Sequence, residues 1–268
     1  MNWSLWARQV DAIARLELKR FVLARRWIGV YLVTLAPVVL LFIRSRMLAA
    51  RFDQLGSLTE VYANVFQFFE LRFAFFISSA VVFSQSFRGD ILEKTLHIYL
   101  LAPVRREVLV IGKYVAGVIF TGVLFLGSTA ATHLLIYSAH PEFSSFFFEG
   151  PGMSHLMGYL AAALLAAVAY GGIFMLVGLR FKNPGVATLA LLAWESLNFA
   201  FPSMLQLFSI VHYLQAFLPV AVNRGPFAIL TEPTSAYLGL PILLIATTAF
   251  LTASGWLVRH AQITYGAD

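Results

Sequence analysis

The chain has 268 residues, of which 60% are hydrophobic and only 12% charged, with a mean hydropathy of +0.80. That is far more apolar than a soluble domain tolerates, and it points to an integral membrane protein in one unit with no room for a separate soluble module. The net charge of +6 is carried at the ends of apolar runs, as membrane insertion requires, so it does not indicate nucleic-acid binding. Cysteine is absent, which excludes disulfides, thiolate metal sites and a Cys nucleophile.

Residues 1–26 carry apolar side chains at helical spacing (Trp3, Trp6, Val10, Ile13), with Arg8, Asp11, Arg15 and Lys19 on the other side. This pattern predicts an amphipathic interfacial helix with two Trp anchors. The stretch is too long and too charged for the basic start of a signal peptide, and no A-x-A site follows the next apolar run, so a retained anchor is expected.

A first span is predicted over residues 27–43, with Pro37 tolerated because neighbouring spans can satisfy the freed carbonyl. A second apolar segment covers residues 61–87. The third span, 114–137, carries Gly117, Gly122 and Gly127, a spacing that favours close helix packing. Residues 138–154 form a loop without Lys or Arg, with Phe146, Phe147 and Phe148 placed for an interface.

A fourth span follows at 155–179, then a basic turn at 180–185 and a fifth span at 186–201. Residues 202–235 are broken by Pro202, Pro219, Pro226 and Pro233. The 204–218 run is too short for a full crossing, so a re-entrant or interfacial segment is expected on the outer side. A sixth span at 236–258 and a short tail complete an all-α polytopic architecture in one transmembrane domain. Lys and Arg concentrate before the first span, between Arg88 and Lys113, at Arg180 and Lys182, and at Arg259. The positive-inside rule therefore places both termini and the 88–113 loop in the cytoplasm.

No G-x-S-x-G or H-E-x-x-H motif is present, and the six His are scattered, so neither a nucleophile elbow nor a metal site is indicated. A Walker A loop is absent too: Gly112-Lys113 is followed by Tyr114, with Glu107 where the first Gly belongs. The chain cannot cradle a nucleotide phosphate in that way.

Polar residues inside the predicted spans are the other candidates. Glu195 and Asn198 lie one turn apart in the fifth, and His133 lies near the outer end of the third. Each should face the bundle or a hydrated cavity, because an ionisable group in hydrocarbon is costly unless paired or hydrated. Glu195 has two readings: part of a substrate path or an ion pair with Arg72 or His133, or an interhelix or dimer-interface hydrogen bond. Glu70 and Arg72 are expected nearer the outer surface, solvated or snorkelling.

The densest charge between spans is residues 87–113, FRGDILEKTLHIYLLAPVRREVLVIGK, which reads as a short amphipathic surface helix, a turn at Ala102-Pro103 and a charged start to the third span. Glu93-Lys94-Thr95-Leu96, then Leu100-Leu101-Ala102-Pro103-Val104-Arg105-Arg106, then Ile111-Gly112-Lys113, resembles the cytoplasmic loop of type-2 ABC transporter permeases, with Lys94 where that family usually has Gly. The close resemblance covers about 25 residues.

It implies six spans, a dimeric membrane unit, and a separate cytoplasmic ATPase subunit that binds ATP and meets the N-terminal helix and this coupling loop; export is the expected direction. Under it, Asp90, Glu93, Lys94, Thr95 and Leu96 would contact or support the ATPase groove. Leu100 and Pro103 would set the turn, and Arg105 and Lys113 would anchor the loop at the lipid surface in a plasma or inner membrane. The runner-up is a membrane-embedded enzyme or assembly factor using Glu195 and His133, followed by an ATPase-independent channel or carrier.

Overall fold

The computed structural model describes residues 3–46, 55–92, 104–138, 140–220 and 234–260. All regular structure among them is helical. Helix α1 (Trp3–Leu23) leads through a 3-10 turn (Arg25–Trp27) into α2 (Ile28–Arg46). Helix α3 (Leu55–Asn64), a π-helical segment (Val65–Phe75) and α4 (Phe76–Leu92) form one continuous rod. Then come α5 (Arg106–Tyr137), α6 (Gly152–Arg180), α7 (Pro184–Ser196), a short α8 (Ile210–Leu214) and α9 (Ala236–His260).

Among the described residues, five helical stretches are long and apolar enough to cross a membrane: Arg25–Arg46, Leu55–Asp90, Arg106–Tyr137, Gly152–Arg180 and Ala236–His260. The expected fifth of six spans is not among them. Its helix α7 has 13 residues, about 20 Å at 1.5 Å per residue, short of the roughly 30 Å of hydrocarbon. After it the backbone passes through a 3-10 turn (Asn198–Ala200) and a single helical turn (Ser203–Gln206) into α8. The broken region expected after Pro202 thus starts earlier, at Leu197.

The rod, α5 and α6 form the buried centre. Of their most apolar windows 67%, 61% and 61% of residues are buried, against 22% for α2 and 17% for α9, so the last two are peripheral. Their outward faces hold Leu32, Val39 and Phe42 on α2 and Leu238, Ile245 and Trp256 on α9. Between α2, α4 and α5 the contact is stitched by hydroxyls: Thr34 Oγ1 and Ser78 Oγ lie 2.8 Å apart, and Ser128 Oγ donates to the Thr34 carbonyl at 2.8 Å. That carbonyl is one residue beyond the one left without its N–H partner by Pro37, so α5 supplies polar contact where the helix is weakened.

Small residues set the closeness of the central helices, though not all those that the spacing suggests. A Cβ on Gly117 or on Gly171 would collide with the Phe83 ring, which wedges α4 between α5 and α6, and one on Gly178 would lie 2.5 Å from the Ser84 carbonyl oxygen. Gly122 would make only an ordinary contact, at 3.7 Å from Leu164, and Gly127 would meet nothing within 4 Å. Gly178→Ala is therefore expected to destabilise the protein by about 1–3 kcal/mol, since backbone must move. Gly127→Ala should leave stability nearly unchanged, and unfolding titrations in mixed micelles compare the two. Equal effects would show that α4 and α6 are not in backbone contact at Gly178.

Candidate functional site

Helix α1 owes its place to an apolar stripe that packs along α5. Ala14 and Phe21 are buried in it, Phe21 stacks on Phe120 at 5.3 Å and meets Trp27 edge-on at 5.0 Å. A Cβ on Gly112 would lie 2.7 Å from Ile13, so the helices touch where Gly112 has no side chain. The stripe contains one charged residue, Glu17, which is 2% exposed.

Glu17 is buried because α4 and α5 answer it. Lys113 Nζ, fully buried, lies 2.5 Å from Glu17 Oε1 and 2.7 Å from Asp90 Oδ2, and donates to the Ser86 carbonyl at 2.9 Å. Arg20 Nη1 lies 2.9 Å from Asp90 Oδ1 and 3.4 Å from Glu17 Oε1. Among the described residues, two carboxylates and two cations thus meet at the foot of three helices. Geometry this tight with further hydrogen bonds is what a buried ionic group requires to offset its desolvation. The cluster joins α1 to the end of α4 and, at Lys113, to the N-terminal part of α5.

Other contacts gather at the same end. Arg105 is exposed and its guanidinium sits over the Trp6 ring at 5.0 Å. Arg106 Nη1 donates to the Val258 and Arg259 carbonyls at 3.0 and 2.9 Å, closing the C-terminal turn of α9 against the start of α5. Asp90 faces the cluster inside the protein, and Lys113 is likewise enclosed there rather than anchoring in lipid. Glu93, Lys94, Thr95, Leu96, Leu100 and Pro103 lie outside the described residues. Sequence reasoning missed Glu17 and Arg20. The signal was available: Val10, Ile13, Ala14, Glu17 and Phe21 fall at helical spacing, so Glu17 interrupts an apolar face.

The intramembrane candidates separate into two groups. Glu195, near the end of α7 and buried, binds the start of α8. Its Oε2 accepts from Ser209 Oγ at 2.8 Å and from the Val211 N–H at 2.9 Å, and its Oε1 accepts from the Ile210 N–H at 2.9 Å. A carboxylate at the N-terminal end of a helix satisfies donors that have no intrahelical acceptor. Arg72 is near enough to interact electrostatically with Glu195 and donates to the Ser196 carbonyl at 3.5 Å. Glu195 also borders a cavity of about 400 Å³ lined by Trp194, Ser209, Tyr213, Phe208 and Leu243. Asn198 is buried in the 3-10 turn after α7, its Oδ1 without a hydrogen-bond partner among the described residues.

His133 does not meet Glu195. Its Nε2 donates to the Gly152 carbonyl at 3.2 Å, and its ring packs edge-on against Tyr62 at 4.9 Å and Tyr137 at 5.0 Å. The expectation that Glu70 and Arg72 are solvated or snorkel at the outer surface is corrected: they are 0% and 3% exposed. Both lie on the π-helical segment, on which Gln67, Glu70 and Arg72 are all buried. Gln67 Oε1 accepts from Gln215 Nε2 at 3.4 Å, Glu70 turns to α5, and Arg72 to α7.

Among the described residues no group of three or more His, Asp or Glu side chains is arranged to hold a metal ion. Two arrangements therefore stand out chemically: an ionic cluster able to carry force between helices, and buried polar groups on the π-helical segment. No protein-family model matches the chain, and the comparison with curated proteins finds no match.

Proposed function

We propose that the chain is the transmembrane subunit of an ABC transporter of the type-2 permease kind, exporting its cargo and coupled to ATP hydrolysis in a separate cytoplasmic subunit. The observation that supports this reading is the cluster of Glu17, Arg20, Asp90 and Lys113, which ties the amphipathic α1 to α4 and α5 on either side of the loop that resembles a coupling helix. A partner that pushes on such a loop moves three helices as one body, because a buried ionic contact between packed helices resists shear.

In this reading the ionic end of the bundle and both termini face the cytoplasm of a plasma or inner membrane, and two permease subunits form the membrane unit. Helix α7 and the turns down to α8 stand in for the fifth of six spans and the outer re-entrant region. The exposed apolar faces of α2 and α9 face lipid or the second subunit.

Copurification in detergent with candidate ATPase subunits tests the proposal, followed by ATP hydrolysis in lipid for wild type, Glu93→Ala and Glu93→Arg. A stoichiometric ATPase is expected, with charge reversal weakening its capture or uncoupling its hydrolysis more than truncation does. Absence of any associated ATPase, with both variants behaving as wild type, would reject the assignment and favour the enzyme or carrier readings.

A further inference from the structure

The Tyr62, Phe66, Glu70 series places two aromatic rings and a carboxyl one below another on the rod, four residues apart across the start of its π-helical segment. All three are 0% exposed. Against them pack Thr129, Thr132 and His133 of α5 and Tyr159 of α6. Tyr62 meets Tyr159 at 4.8 Å and Phe66 meets Tyr159 at 4.7 Å between ring centroids. Tyr62 Oη donates to the Thr129 carbonyl at 3.2 Å, so the ring wall is fixed to α5 by its own hydrogen bond.

Inside this wall the Glu70 carboxyl has only neutral donors, the hydroxyls of Thr129, whose Oγ1 lies 3.2 Å from Oε2, and of Thr132. Its Oε1 has no hydrogen-bond partner among the described residues, and the same holds for Tyr159 Oη and His133 Nδ1. The titratable groups facing it are Tyr62 on α3 and Tyr159 on α6, with His133 of α5 packed on the far side of those two rings. His133 uses its Nε2 on the Gly152 carbonyl. Arg72, on the same segment, is directed to α7. Among the described residues no cation reaches ion-pair distance of Glu70. An ionised carboxylate fully withdrawn from water, with two hydroxyls and no cation to solvate it, costs several kcal/mol; the neutral acid avoids that cost.

We infer that Glu70 is a proton-binding site within the bundle, its Oε2 the carbonyl oxygen that accepts from Thr129 and its Oε1 the oxygen that carries the proton. The ligand is a proton because rings packed this closely leave the carboxyl no room for a larger cation without displacement. The step is simple protonation: the carboxylate takes up one proton and becomes the acid, and water admitted between the rod and α5 would accept that proton from Oε1 and solvate the carboxylate left behind. The inference is independent of whether an ATPase drives the protein, and its test contains no ATPase.

Infrared spectroscopy of the purified protein near neutral pH, in a detergent without ester groups, tests it. Wild type is expected to show the C=O stretch of a protonated carboxyl, moving to lower frequency in heavy water. Glu70→Gln should lose that band, and Thr129→Val should raise its frequency, because a donated hydrogen bond is removed from the carbonyl oxygen. If Glu70→Gln fails to fold, the Thr129→Val shift alone assigns the band. A wild-type spectrum without a protonated carboxyl overturns the inference. A band that neither substitution moves overturns it as well, since it would belong to another carboxyl such as Glu195.

Discussion

Replacing Lys113 by Met lowers the unfolding free energy by about 3–5 kcal/mol, the loss expected when one partner is removed from a buried ionic contact. The methylene volume is retained, so the effect is one of charge. Lys113 is fully buried, and its ammonium is the group that touches both carboxylates and the Ser86 carbonyl. Without it, Glu17 and Asp90 keep the Arg20 guanidinium but lose the buried ammonium that both of them contact. Adding Asp90→Asn to Lys113→Met removes the carboxylate that lost its ammonium and should recover about 1 kcal/mol or more, a coupling that independent sites would not show. Equilibrium unfolding in mixed micelles measures both. A loss below about 1 kcal/mol for Lys113→Met would mean that the site is solvated and that α1 is held by its apolar stripe.

The second large effect is local. In Glu195→Ala, the N–H groups of Ile210 and Val211 and the hydroxyl of Ser209 lose their acceptor together. Each charge-assisted hydrogen bond contributes about 1.5–3 kcal/mol, but α8 has five residues and can open by itself, which caps the global loss. The expected signature is hydrogen exchange at Ile210 and Val211 accelerated about 100-fold, equivalent to about 2.7 kcal/mol of local opening. Glu195→Gln should behave almost as badly, because its NH₂ group would face a donor. Unchanged exchange in both variants would show that the carboxylate does not hold α8.

Much of the helical layout is legible from residue spacing. The α1 stripe, the apolar runs of α2, α5, α6 and α9, and the prolines after residue 201 each follow from local pattern, and local pattern is what hydropathy and helical periodicity report. What escaped depends on tertiary partners. Sixteen apolar-rich residues from 186 to 201 read as a span, yet the chain turns at Leu197, where Glu195 gathers the donors of Ser209, Ile210 and Val211 from a later segment. Lys113 reads as a lipid anchor until Glu17, 96 positions away, is seen to share its site. Gly117, Gly122 and Gly127 look equivalent in sequence, and only the position of Phe83 distinguishes the first.

The π-helical run from Val65 to Phe75 also governs how this molecule can be probed. Hydrogen bonds that close five residues apart put more residues into each turn than the usual 3.6, so azimuth slips steadily between the Tyr62 end of the rod and the Asp90 end. Two side chains that share a stripe on a conventional helical wheel drawn through the whole rod point in different directions in space. The chain has no native cysteine to remove, which suits it to paired-cysteine cross-linking and spin labelling. Label pairs that straddle residues 65–75 must be chosen from the π register, or distances measured between them will be misread as helix rotation.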